Sequence, residues 1–321
     1  MQIQRSYPTA VACIAALTLA ACSSEPLTTP AEPVVAPVFS VSGGASVDEA
    51  LLDHMDAVNA GLAANGAAYR VALAEYVTSA DGGEAGGTVL ARDLGNKQLA
   101  LDFVPNDARR AWSGPVGASD DITYAIDQTG DAVPPGGGLT AAQTTAAIQS
   151  AMRTWDGLSC SDLPIVQGPD FGLDIGVVAF LNGLGGSPFV FADVQHAGWR
   201  DINFAGGVLG VTFTFQFIDG TGAPTDIDGN GKLDAAFREI YYDPSWVWAI
   251  GSDVDVETVA LHEAGHGLSQ AHFGTVALKN DGSLMASPRA VMNALYAGPL
   301  QALTGTDDGG HCSNWAQWPI N

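Results

Sequence analysis

The sequence predicts an α+β domain, a mixed twisted β-sheet with two main helices, preceded by a small N-terminal helical region. Three observations carry this expectation. Thr140 and Asp255 are natural N-caps ahead of two helical runs, the second from about Val256 to Leu268. Leu173–Leu181 and Val208–Ile218 read as strands, the latter alternating in Phe213, Phe215 and Phe217 as a packed sheet requires. At 47% hydrophobic over 321 residues, the chain can bury real cores, enough for one domain and a smaller companion.

From the amino terminus, a short polar segment ending at Arg5 precedes an apolar run from Ala10 to Ala21. That run is too short to span a bilayer and suits the core of a signal peptide over residues 1–21. It ends in Leu19-Ala20-Ala21-Cys22, which resembles the lipobox of bacterial lipoproteins. The resemblance implies cleavage before Cys22, lipidation of its thiol, and an exported protein held at an outer membrane or cell surface. An ordinary secretory signal is the alternative. Residues 22–46, rich in Pro, Thr, Ser, Ala and Val, read as a flexible tether.

Residues 47–117 form the second region. From Val47 to about Thr78 apolar residues recur at roughly helical spacing, interrupted by Gly61 and Asn65-Gly66, and read as two short helices. Asp81 to Gly87 reads as a loop, and Val89 to Val104 as one or two strands. A propeptide, an accessory module and a support for the following domain all remain open for this region. Residues 118–321 form the main domain. Its Pro134-Pro135-Gly136-Gly137-Gly138 run is a loop, not a phosphate cradle, because no lysine follows it.

Asp226, Asp228, Asn230, Lys232 and Asp234 alternate along one loop, with Gly231 at its sixth position. Four side-chain oxygens and the Lys232 carbonyl in that pattern resemble the first nine residues of an EF-hand-type loop and suit structural Ca2+. Phe237 stands at the twelfth position where such loops place a glutamate, so a full EF-hand is not expected. A polar surface turn is the plain alternative.

His262-Glu263-Ala264-Gly265-His266, with His272 following, carries the chemistry. Residues four apart share a helical face, so His262 and His266 can point at one metal ion. His272 completes a set of three only if the helix stops soon after His266 and the chain turns back. Three neutral imidazoles leave the fourth position of tetrahedral zinc open, as in catalytic sites. Glu263 reaches the same place without being a ligand and suits the role of general base. Zn2+ and hydrolysis of a peptide bond fit these parts.

The pattern resembles the metzincin metallopeptidases, and Ala290-Val291-Met292-Asn293-Ala294-Leu295-Tyr296 resembles their Met-turn. Within metzincins the segment is most similar to the matrixins, because Tyr296 falls four residues after Met292 and Ala294 stands where other branches carry a zinc-reaching tyrosine. Ile122–Ile126 resembles the first strand of that domain, Ala146–Trp155 the long helix after it, and Glu239–Asp243 with Trp246 the strand and turn before the active-site helix. The likeness spans about residues 118–321. It implies a metzincin-like sheet with Met292 beneath His262, His266 and His272. Departures are Ser269 in place of the usual glycine, Ala294 in place of a proline in the pocket wall, and Phe273 after the third histidine. Only His54, His196 and His311 remain elsewhere, so no second zinc is expected.

Charge and cysteine usage bound the partners. With 12 Lys+Arg against 35 Asp+Glu and a net charge of -23, nucleic acid is excluded as a partner. A protein or peptide substrate, and a membrane reached through Cys22, are the partners expected; oligomeric state is left open. Cys13 leaves with the leader and Cys22 takes the lipid, so Cys160 and Cys312 form one disulfide, a reactive Cys160 being the alternative. No cysteine in residues 23–117 can cap a zinc ion. Function thus reads as a membrane-tethered zinc endopeptidase. The alternatives are a catalytically inactive, calcium-stabilised surface binding protein on a metzincin scaffold, and an amidase-type zinc hydrolase.

Overall fold

The computed structural model describes residues 46–320 apart from 82–83, 92–100, 111, 113–118, 203 and 205. The expected leader, Cys22 and the tether up to residue 45 lie outside the described residues. In chain order the described elements are α1 (Val47–Ala64), β1 (Tyr69–Ser79), β2 (Gly87–Leu90), β3 (Leu101–Asp102), β4 (Ile122–Ile126), α2 (Ala141–Asp156), β5 (Ile165–Gln167) and α3 (Val177–Leu181). There follow β6 (Val194–Trp199), β7 (Val208–Phe217), β8 (Leu233–Tyr242), β9 (Trp248–Ala249), β10 (Val254–Asp255) and α4 (Val256–Gly267). The last are β11 (Thr275–Leu278), β12 (Leu284–Ser287), β13 (Leu295–Tyr296) and α5 (Gly305–Trp315).

This is a mixed α+β fold. The main sheet runs β13-β1-β7-β8-β6-β4-β5, with β2 on β1 and β3 on β8. β8, β6, β4 and β5 are mutually parallel, β7 runs antiparallel to β8, and β1 antiparallel to β7. Both faces of the sheet are covered. Trp155, Leu261, Ile240 and Met292 pack on the side of α2 and α4, while Met55, Leu62, Phe213, Phe215 and Tyr241 pack on the side of α1. Among the described residues, no helix is long and apolar enough to cross a membrane.

Two expectations are corrected. Val47–Thr78 is not two helices. α1 begins in a reciprocal cap between Ser46 and Glu49, buries Leu51, Met55, Val58 and Leu62, and stops at Asn65. The remainder is β1, an eleven-residue strand in the interior of the sheet. Val71, Leu73 and Val77 fall at spacings of two and four residues, but β1 is buried on both faces, which hides the alternation that marks a half-exposed strand. Asn59 fastens the helix to the strand through both the N–H and the carbonyl of Val71, at 2.7 and 3.0 Å. Residues 47–79 therefore support the main sheet, the third of the roles open to them.

Leu173–Leu181 is not a strand either. Its second half is the short helix α3, because the buried Glu239 carboxylate accepts the N–H groups of Val177 and Val178 at 2.6 and 3.0 Å. An anion at a helix start outweighs the strand preference of two adjacent valines. Of the one or two strands expected in Val89–Val104, β3 lies within it, and β2 overlaps it but starts at Gly87, the last residue of the expected loop.

α2 carries the expected Thr140 cap, reinforced by Gln143, and its Trp155 Nε1 donates to the Leu261 carbonyl of α4 at 2.9 Å. Cys160, beyond α2, is joined to Cys312 on α5. That terminal helix gave no periodic apolar signal in the sequence, since Gly and Asp are frequent in it.

Burial has a consequence for acid stability. His196, fully buried against Tyr242 and Met152, is held down from 6.5 to about 3, and burial lowers His54 to about 4. Below pH 6.5 the unfolded histidines take up protons that the folded ones refuse, so protons favour unfolding. Stability present above that pH is expected to fall by a few kcal/mol as pH drops toward about 4. Urea midpoints of the parent and His196→Gln across this range check it. Parallel pH profiles would count against the assignment to His196.

Candidate metal centre

α4 begins at Asp255, whose carboxylate accepts the Thr258 N–H and hydroxyl at 2.9 and 2.6 Å. One helical face then carries His262 and His266 inward. The helix closes at Leu268, and Ser269 takes the left-handed conformation at φ 63. Gly267 remains helical, so Ser269 bears the turn alone, at a cost of roughly 1 kcal/mol. Its hydroxyl meets the Arg238 guanidinium at 3.0 Å. The Gln270 N–H returns to the Gly265 carbonyl at 2.9 Å. This reversal brings His272 back to the other two histidines.

The three Nε2 atoms converge. His262 lies 3.0 Å from His266 and 3.3 Å from His272, and His266 lies 3.2 Å from His272. The Nδ1 of His262 donates to the Val291 carbonyl at 2.7 Å, and that of His266 to the Gln270 carbonyl at 2.8 Å. With the protons of His262 and His266 held on Nδ1, their Nε2 atoms face each other as lone pairs, which repel unless a cation lies between them. Zn–N bonds of about 2.0–2.1 Å at tetrahedral angles put nitrogens roughly 3.4 Å apart. The donor set thus fits zinc. Burial and the neighbouring His266 lower His262 to about 3, and burial holds His272 well below its usual value, so both stay neutral as ligands must. For His266 burial is outweighed by Glu75 and Glu263, which raise it.

Glu263 is fully buried beside this cluster. Its Oε2 accepts the Thr212 hydroxyl at 2.6 Å, whereas its Oε1 has no hydrogen-bond partner. Burial pushes the carboxyl from 4.5 up to about 7, against the pull of His266 and Thr212. Gly210 is required here, since a Cβ on it would lie 2.9 Å from Oε1. A carboxylate with one open oxygen and an affinity for protons near neutrality is equipped to take a proton from water.

Met292 lies beneath the helix. A Cβ on Gly265 would meet its Sδ at 2.3 Å, so the glycine lets the thioether pack under the histidines. Asp307 of α5 accepts the N–H groups of Val291 and Met292, each at 3.0 Å, and so fixes the carbonyl that holds His262. The Tyr296 hydroxyl accepts the Asp255 N–H at 2.9 Å and donates to the Asp253 carbonyl, away from the histidines. A cavity of about 20 Å³ beside His262 is lined by Val77, Val259, Val291 and Tyr296.

At the other loop Asp226, Asp228 and Asp234 bring carboxylate oxygens within 4.8 Å of one another. The Asn230 amide donates to both Asp228 and Asp102, each at 3.1 Å, and the Lys232 ammonium donates to Asp102 at 2.9 Å. Asp234 is already paired with Arg109 at 2.8 Å.

Sequence reasoning missed Glu75, Thr212, Gly210 and Asp307. All four come from distant segments with no fixed spacing to the motif. Asp307 alone left a trace, as the third residue after the N-cap Thr304. No family model matches this chain, and no curated protein matches it.

Proposed function

We propose that this chain is a zinc-dependent metalloendopeptidase with a metzincin, matrixin-like catalytic domain, exported and tethered through Cys22. The convergence of the His262, His266 and His272 Nε2 atoms, with the open Glu263 oxygen beside them, carries the reading. The Met292 turn beneath Gly265 supports the metzincin assignment. His262, His266 and His272 would hold zinc, which when bound supplies Lewis-acid polarisation of the substrate carbonyl and a more acidic water. Glu263 takes the proton of the attacking water and returns it to the leaving amine. Thr212 keeps that carboxylate aimed. Zinc stoichiometry, together with cleavage of casein and a mixed peptide library by residues 23–321, tests the reading; a protein without zinc would sink it.

One observation favours the second reading, a catalytically inactive surface binding protein. β7, which carries Gly210 and Thr212 beside Glu263, is paired on one edge with β8 and on the other with β1. An extended peptide therefore finds no open strand edge next to the carboxylate. Stoichiometric zinc without any cleavage would favour that reading.

Calcium is proposed for Asp226, Asp228, Asn230, the Lys232 carbonyl and Asp234, of which the three aspartates bring carboxylate oxygens together. Added Ca2+ is expected to raise the Tm of the parent and not of Asp226→Asn/Asp228→Asn; equal shifts in both would remove the site.

A further inference from the structure

β1 brings a second carboxylate to the metal centre. Glu75 is 7% exposed and pairs in register with Thr212, the residue whose hydroxyl holds Glu263. Its Oε2 lies 3.3 Å from His266 Nδ1, on the ring edge opposite the converging Nε2 atoms. The charged groups that face it from the surrounding elements are His266 and Glu263 of α4 and Arg238 of β8. Arg238 spends its guanidinium on the carbonyls of Gly267 and Leu101 and the Ser269 hydroxyl. A buried carboxylate needs compensating positive charge. Here the Arg238 guanidinium is shared between Glu75 and Asp102, Glu263 has only His266 as a cationic neighbour, and a dication among the three imidazoles would supply further positive charge.

Resting on the zinc reading above, we propose that Glu75 is a positioning residue for the metal centre, an outer carboxylate that acts through His266. Together with the Gln270 carbonyl it keeps the His266 proton on Nδ1 and the ring turned so that Nε2 faces the metal. Such outer partners orient a ligating histidine and raise its basicity. The strand that carries Glu75 lies before residue 118, so the N-terminal region completes the metal site as well as the sheet.

The test compares the parent with Glu75→Gln, Glu75→Ala and Val71→Ala, the last loosening β1 on its α1 side while leaving the carboxylate in place. Zinc affinity is measured by chelator competition, and the visible spectrum of the Co2+ form reports ligand geometry. Glu75→Ala is expected to weaken zinc about 10–100-fold. Glu75→Gln, which keeps the shape and an acceptor, should lose less, and Val71→Ala should bind as the parent does. Melting of the metal-free forms separates lost folding from lost positioning, and the near-isosteric Gln variant carries the test if the Ala variant does not fold. Parental zinc affinity in the Glu75 variants overturns the proposal, as does an equal loss in Val71→Ala. A parent that binds no zinc removes the underlying reading, a different outcome from a parent that binds while the variants are unaffected.

Discussion

Glu263→Gln is expected to retain one zinc per chain and to lose about 10²–10⁴-fold in kcat. The two halves of that result have separate origins. Zinc stays because the converging atoms belong to His262, His266 and His272, and the carboxylate is not one of them. Rate falls because the amide, although it fills the same space against Gly210 and Thr212, cannot accept a proton from water. The amide can still meet the Thr212 hydroxyl, so the fold should melt near the parental Tm. Side-by-side casein assays and metal analysis of purified proteins decide it. Equal turnover in the variant would dismiss Glu263 as the base. Loss of zinc together with turnover would mean that the carboxylate helps to hold the metal.

A chain beginning at residue 118 is expected not to fold. It would lack β1, leaving the long edge of β7 unpaired and β13 without its partner. It would also lack α1, whose Val47, Leu51, Met55, Val58 and Leu62 are buried in the core that contains Phe213, Phe215 and Tyr241. Each large apolar side chain returned to water costs about 1.5–3 kcal/mol. Removing five such partners costs about 7.5–15 kcal/mol, as much as the roughly 5–15 kcal/mol by which domains are stable, before the loss of β1 is counted. Near-UV circular dichroism and thermal melting of residues 118–321 measure this directly. A monomer with a cooperative transition would show the N-terminal region to be dispensable and would return it to the role of a detachable segment.

Local signals in the chain were enough for one part of the molecule. Asp255 and the four-residue spacing of His262 and His266 act over one or two helical turns, so the helix that carries the histidines and its end near Leu268 were legible. The left-handed turn at Ser269, where the usual glycine is missing, was not. The Thr140 cap gave α2 for the same reason, and the phenylalanine alternation gave β7. Signals failed where both faces of an element are buried, as in β1, and where a distant group decides, as Glu239 does for α3.

By itself, then, the sequence determined the residues of the proposed metal site: which three imidazoles, which carboxylate, and the helix that spaces them. Only the tertiary structure decided what surrounds them. Thr212 and Gly210 from β7, Glu75 from β1 and Asp307 from α5 reach the site across 51, 53, 191 and 15 residues of chain, respectively, from the groups they serve. Sheet pairing and burial fix such contacts, and neither leaves a periodic mark at the positions concerned.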